Sequence, residues 1–188
     1  MNNKSTNVRQ RMTGFTMIEL IVVIVILGIL AAVALPRFTN IQRDARIAKL
    51  NAARGAVQGA ASLIHGTALA RGGVADTVAC PGGGTGPNPA NNTTNICTES
   101  GRLTIVNVYP TADLNGLVSA AGLTSVFPAT AAALTPDGYA TAGGGAAAGS
   151  VLTVEVTGGS APATCSFTYT APAANAAPVV SAVTTTGC

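Results

Sequence analysis

Among the 188 residues, the one whose type and place most demand a chemical explanation is an acid, Glu19. It stands within residues 15–35, FTMIELIVVIVILGILAAVAL, a run of 21 in which no other side chain ionises. A carboxylate at the centre of a membrane helix costs about 2.5–3.5 kcal/mol on insertion scales and less near an end, yet an apolar residue would serve an anchor better. The run holds no cation, so a partner for Glu19 has to come from another molecule or from a newly made amino terminus. Other reactive types are sparse. His65 is the lone histidine, and no motif places a Ser or Cys nucleophile with it, which favours a partly buried helix position over a general base. The glycine runs at 82–86 and 143–145 lack the Lys-Ser/Thr tail of a phosphate cradle. Cys80, Cys97, Cys165 and Cys188 include no CxxC pair, so no zinc site or other metal site is expected. No catalytic constellation emerges, so the chain is read as a non-enzyme without a cofactor.

As an α-helix, residues 15–35 extend roughly 32 Å, enough to cross a bilayer core of about 30 Å. Lys4, Arg9 and Arg11 precede them with no acid between, so the positive-inside rule keeps that end cytoplasmic and exports the chain beyond Leu35. A basic region followed by an apolar one is also the layout of a secretory signal peptide. Ala32-Val33-Ala34 offers an A-x-A site whose cleavage would release a soluble chain starting at Leu35. Against that reading, the run exceeds the usual length of about 7–15 residues and has an acid inside it. A plain signal-anchor explains the length but not Glu19.

Gly14-Phe15-Thr16-Met17-Ile18-Glu19, followed by the apolar run with Gly28 and then Pro36, resembles the prepilin signature of type IV pilins and type II secretion pseudopilins. In that family a membrane aspartic peptidase cuts after the glycine and methylates the new amino terminus. The resemblance implies cleavage between Gly14 and Phe15, with Phe15 becoming N-methylphenylalanine. Glu19 then falls where the family acid pairs with a neighbouring subunit's amino terminus during assembly. Gly28 and Pro36 match positions that bracket a segment able to unwind in the filament. Pro36 cannot donate a backbone N–H and is expected to kink or loosen the helix near Ala32. Pro36-Arg37-Phe38 through Asn40-Ile41-Gln42-Arg43-Asp44-Ala45-Arg46, with Val108-Tyr109-Pro110 and its following helix, is similar to the mannose-sensitive haemagglutinin pilins.

The implied fold is α+β: a long N-terminal α-helix, membrane-spanning in its first half, packed on a small antiparallel β-sheet head. The implied segments are a leader at 1–14, a transmembrane and filament-core helix at 15–35, its amphipathic continuation at 36–71, and a β-rich head at 72–188. The implied function is a structural subunit polymerising into a surface filament for adhesion or twitching motility. Other copies of the chain, the prepilin peptidase and the inner-membrane assembly machinery are the implied partners. The precursor is expected in the bacterial inner membrane and the mature chain on the cell surface. Two alternatives stay open: a pseudopilin of a type II secretion system and a signal-peptide-cleaved secreted binding protein.

Charge and periodicity set the rest. Removing residues 1–14 removes three cations and leaves the remainder neutral, which gives no argument for nucleic-acid binding. Residues 15–71 carry six basic side chains against Glu19 and Asp44, whereas 72–188 carry Arg102 against Asp76, Glu99, Asp113, Asp137 and Glu155. The basic run reads as a solvated helix face, as complementarity between subunits, or as attraction of Arg37 and Arg43 to lipid head groups. Leu50, Ala53, Val57, Ala60, Ala61, Ile64 and Ala68 recur at helical steps and predict a face for a sheet, with Arg43, Arg46, Lys49 and Arg54 mostly elsewhere. Gly72-Gly73 ends the helix.

Residues 74–100 read as a loop closed by a disulfide, 103–109 as a strand, and 111–121 as a short helix stopped by Gly122. Residues 151–156 and 165–170 read as strands joined by a Gly158-Gly159 turn, 179–183 as a weaker strand, and 129–150 and 171–178 as surface loops. Export favours disulfides, of which three pairings are possible. Cys80–Cys97 with Cys165–Cys188 is preferred because each closes a loop with no cysteine inside; the second resembles the C-terminal disulfide loop of type IV pilins. Asn91 and Asn92 each start an N-x-T sequence, read as an unmodified loop.

Overall fold

The computed structural model describes residues 15–81 and 89–188. The leader, with Gly14 and its three cations, and the glycine run at 82–86 lie outside the described residues. The chain divides into two compact units, Met1–Ile41 and Gln42–Cys188.

Helix α1, Met17–Arg71, is assigned without interruption, Pro36 included, so Pro36 does not end it. In the first unit every described side chain of the apolar run is exposed, from Phe15 at 83% to Leu35 at 65%. The run is long and apolar enough to cross a membrane, with a mean hydropathy of 3.1 over its best window. In the second unit the face anticipated from periodicity is buried, from Leu50 and Val57 at 0% to Ala60 at 9%. Small residues at 53, 61 and 68 let strands approach closely.

Two antiparallel sheets meet that face: β1 (Asn95–Thr98), β2 (Gly101–Val106) and β3 (Tyr109–Pro110) form one, in that order. The other runs β4 (Tyr139–Gly143), β5 (Val151–Val156), β6 (Ser166–Thr170) and β7 (Val179–Val180). Alternation decides which side chains point inward. Leu152, Val154 and Val156 of β5 and Phe167 and Tyr169 of β6 pack on Leu50, Ala53, Val57 and Ala61. Ile96, Leu103 and Ile105 close over Ile64 and Ala68. The α+β, pilin-like arrangement is thus present.

Several local expectations need correction. Residues 74–100 are not all loop, since Asn95–Thr98 pairs with β2, Ile96 opposite Leu103. The stretch 103–109 is not one strand. Asn107 and Val108 both take left-handed backbone, φ 47° and 63°, and fold Tyr109–Pro110 back onto Ile105 and Val106. A β-branched residue there costs about 1–3 kcal/mol, offset by the buried packing around it. The segment 129–150 is not a surface loop: α2 (Ser119–Ala121) is followed by α3 (Ala131–Leu134), whose Leu134 is fully buried, and by β4, paired along its length with β5. YATAG holds too few bulky residues to signal a strand by itself.

The short helix after β3 is a π-turn, Leu114–Val118, leading into α2, and Gly122 ends it at φ 60° as anticipated. Asp113 caps it through Gly116 N–H at 2.6 Å. A Cβ on Gly116 would stand 2.1 Å from Thr111 Oγ1, so this close approach requires glycine.

Tyr169 is 0% exposed and donates its hydroxyl to Pro110 C=O at 2.8 Å, joining the two sheets. Burial pushes its phenol well above the usual tyrosine range, and neighbouring Tyr109 adds to the effect. A raised acid pKa in the folded state means that the unfolded chain loses the proton first. Stability is therefore level below about pH 10 and falls above it. Thermal melts taken from neutral to strongly alkaline pH are expected to show this drop, with a shallower one in Tyr169→Phe; equal slopes would remove Tyr169 as its source.

Candidate processing and assembly site

Phe15 and Thr16 precede the first helical turn, where backbone N–H groups lack intrahelical acceptors. Glu19 Oε2 accepts from Thr16 N–H at 2.9 Å and from Thr16 Oγ1 at 2.7 Å, while Glu19 N–H donates to Thr16 Oγ1 at 3.3 Å. This reciprocal arrangement is a capping box, with Thr16 at the cap and Glu19 three positions on. The carboxylate's hydrogen bonds are met inside its own chain, while a partner for its charge is not found there among the described residues. The carboxylate has two donors on Thr16, and both residues are exposed. Thr16-x-x-Glu19 was a legible signal for it. Neither donor is a cation, so the charge of Glu19 is left unneutralised by its own helix.

Among the described residues Gly28 has no atom within 4 Å of where a Cβ would stand, so none of them requires its smallness. The described residues therefore leave the surface of the run uncovered.

In the second unit three of the helix cations reach backbone carbonyls in segments that flank the second sheet, and not only solvent. Arg46 Nε donates to Cys188 C=O at 2.5 Å and Arg54 Nε to Ser181 C=O at 2.7 Å. Lys49 donates to Asp137 C=O and lies 4.4 Å from the centre of the Tyr139 ring. Backbone carbonyls carry no sequence signal, which is why these bonds were illegible. At the far end of α1, Arg71 bonds Asp76 at 3.3 Å and Asn92 at 3.2 Å. Asn92 is 1% exposed and its amide also donates to Val74 C=O, so this asparagine is structural. Asn91 is exposed, and its Oδ1 accepts the backbone N–H groups of Thr93, Thr94 and Asn95.

His65 stacks on Tyr109 at 4.0 Å between ring centres, with Nδ1 buried and without a hydrogen-bond partner among the described residues, a packing contact. Cys80 and Cys97 are joined, as are Cys165 and Cys188, with Cα separations of 5.2 and 4.8 Å. Among the described residues no group of His, Cys, Asp and Glu is arranged to hold a metal ion.

Residues 9–35 match the prokaryotic N-terminal methylation motif. This chain carries a type IV prepilin motif. Over 50 residues it is 50% identical to the type IV narrow pilus major component PilA5 of Thermus thermophilus. That match spans 27% of this chain and 43% of the relative's length. No solved structure matches. The motif and the relative support a pilus subunit, and an apolar helix of this length fits a membrane-anchored precursor.

Proposed function

We propose that this chain is the precursor of a type IV pilus subunit that polymerises through its N-terminal helix into a surface filament serving adhesion or motility. The reading rests on one coincidence: Gly14-Phe15 at the boundary, Glu19 four residues beyond Phe15, and a spanning-length apolar helix whose surface the monomer leaves bare. Residues 1–14 are the leader removed by a prepilin peptidase, 15–35 first cross the inner membrane with the amino terminus cytoplasmic and then enter the filament core, 36–71 continue the helix, and 72–188 form the exported head. The likeness of 36–46 and 108–110 to mannose-sensitive haemagglutinin pilins is the ground for reading the subunit as one of that kind. Glu19, Gly28 and Pro36 serve assembly, the acid by meeting the Phe15 amine of a neighbouring copy.

Intact-mass measurement of the exported protein tests this. The expected mass is that of a chain starting at N-methylated Phe15, and a bulky residue at Gly14 is expected to leave uncut precursor in the membrane. A chain starting at Leu35 would establish the secreted reading instead.

A further inference from the structure

The second unit carries a groove of about 730 Å³ along α1 that none of its own described side chains fills. Its floor is apolar, Ala60 and Ile64 of α1 and Leu103 of β2, with Leu63, 70% exposed, on the helix rim. Two charged residues border it. Arg71 is already engaged by Asp76 and Asn92. Glu99, in the turn between β1 and β2, is exposed and has no hydrogen bond or ion pair among the described residues. The groove therefore asks for an apolar ridge flanked by a cation.

The first unit presents such a ridge. Arg37, Phe38 and Ile41 are spaced at one and three residues and lie within one helical face. Phe38 and Ile41 are each 63% exposed, and Arg37 is exposed without a partner among the described residues. An apolar helix face entering a groove by residues at such steps is a recurring mode of recognition. Ridge and groove wall belong to the same helix, so the occupant is a second copy of the chain. The charge of the whole agrees, since residues 15–71 are predominantly basic and 72–188 predominantly acidic.

We infer that the groove bordered by Leu63 and Glu99 receives the Arg37–Phe38–Ile41 ridge of a second copy, with Arg37 of one copy facing Glu99 of the other. The inference rests on the polymer reading and names the contact that fixes one head against the next copy's helix. It also gives Arg37 a protein partner, in place of a lipid head group.

Charge exchange tests it in cells whose sole copy of the full chain is the variant. Like charges facing one another across a contact are unfavourable, so Glu99→Arg and Arg37→Glu are each expected to lower surface filaments per mature subunit by about tenfold or more. The double variant is expected to recover most of that loss. Immunoblots for mature subunit confirm that export and folding survive. All described cysteines are paired, so a Phe38→Cys, Leu63→Cys variant has only two new thiols, and mild oxidation is expected to give a ladder of linked copies. Wild-type filaments with both single variants unimpaired, or a double variant no better than the worse single, would overturn the contact and leave the polymer reading standing. Absence of filaments from the wild-type chain would remove both.

Discussion

Glu19→Gln is expected to leave export, cleavage after Gly14 and head folding unchanged while surface filaments become scarce or vanish. The observed capping by Glu19 and its proposed assembly role separate in this substitution. A glutamine at the third helical position still accepts from the cap residue, so the bonds from Thr16 N–H and Oγ1 are retained. What disappears is the charge. If Glu19 neutralises the Phe15 amine of a neighbour inside an apolar core, leaving that amine buried alone costs about 3–5 kcal/mol, enough to stop a subunit from adding. Loss of a helix cap alone costs only about 1 kcal/mol. Thr16→Ala, which breaks the box and keeps the acid, is therefore expected to assemble far better than Glu19→Gln. Immunoblots for mature subunit and electron microscopy for filaments, taken together, decide the matter. Abundant filaments from Glu19→Gln would leave capping as the role of the acid.

Removing Cys165–Cys188 is expected to be the most damaging change to the head. The loop it closes spans 23 residues, for which the chain-entropy model gives about 3 kcal/mol. For a unit of roughly 150 residues that corresponds to a fall of about 6–12 °C in Tm. The contacts raise the stakes. Cys165 and Cys188 are 0% and 5% exposed within the main core, and Cys188 C=O is the acceptor of Arg46. Ala161 N–H donates to Gly187 C=O, and Gly187 N–H donates to Thr164 C=O, so the same link holds the segment before β6. Cys80 and Cys97 stand outside both core clusters and are only half-buried. Thermal melts of Cys165→Ala with Cys188→Ala, set beside Cys80→Ala with Cys97→Ala, are expected to show the larger drop for the first pair. The reverse order would contradict this account of the core.

What the sequence determined by itself is local or periodic. A 21-residue apolar run, a helical face from Leu50 to Ala68, and a left-handed stop at Gly122 each follow from the chain's own neighbours a few residues away. The processing signature is equally local, being a set of consecutive residue types. Thr16-x-x-Glu19 belongs to the same class and was open to reading.

Tertiary structure decided whatever depends on a distant partner. YATAG becomes β4 only because β5 offers its ladder, and NICT becomes β1 because β2 folds back on it across Glu99 and Ser100. LTIVNVY breaks at Asn107 because Tyr109 and Pro110 gain more against β2, His65 and Tyr169 than the turn costs. Arg46, Lys49 and Arg54 turn inward because carbonyls at the ends of far-off segments need donors, and a carbonyl looks the same behind every side chain. Short, small-residue segments have too little intrinsic preference to choose a conformation, so the long-range pairing that buries them makes the choice.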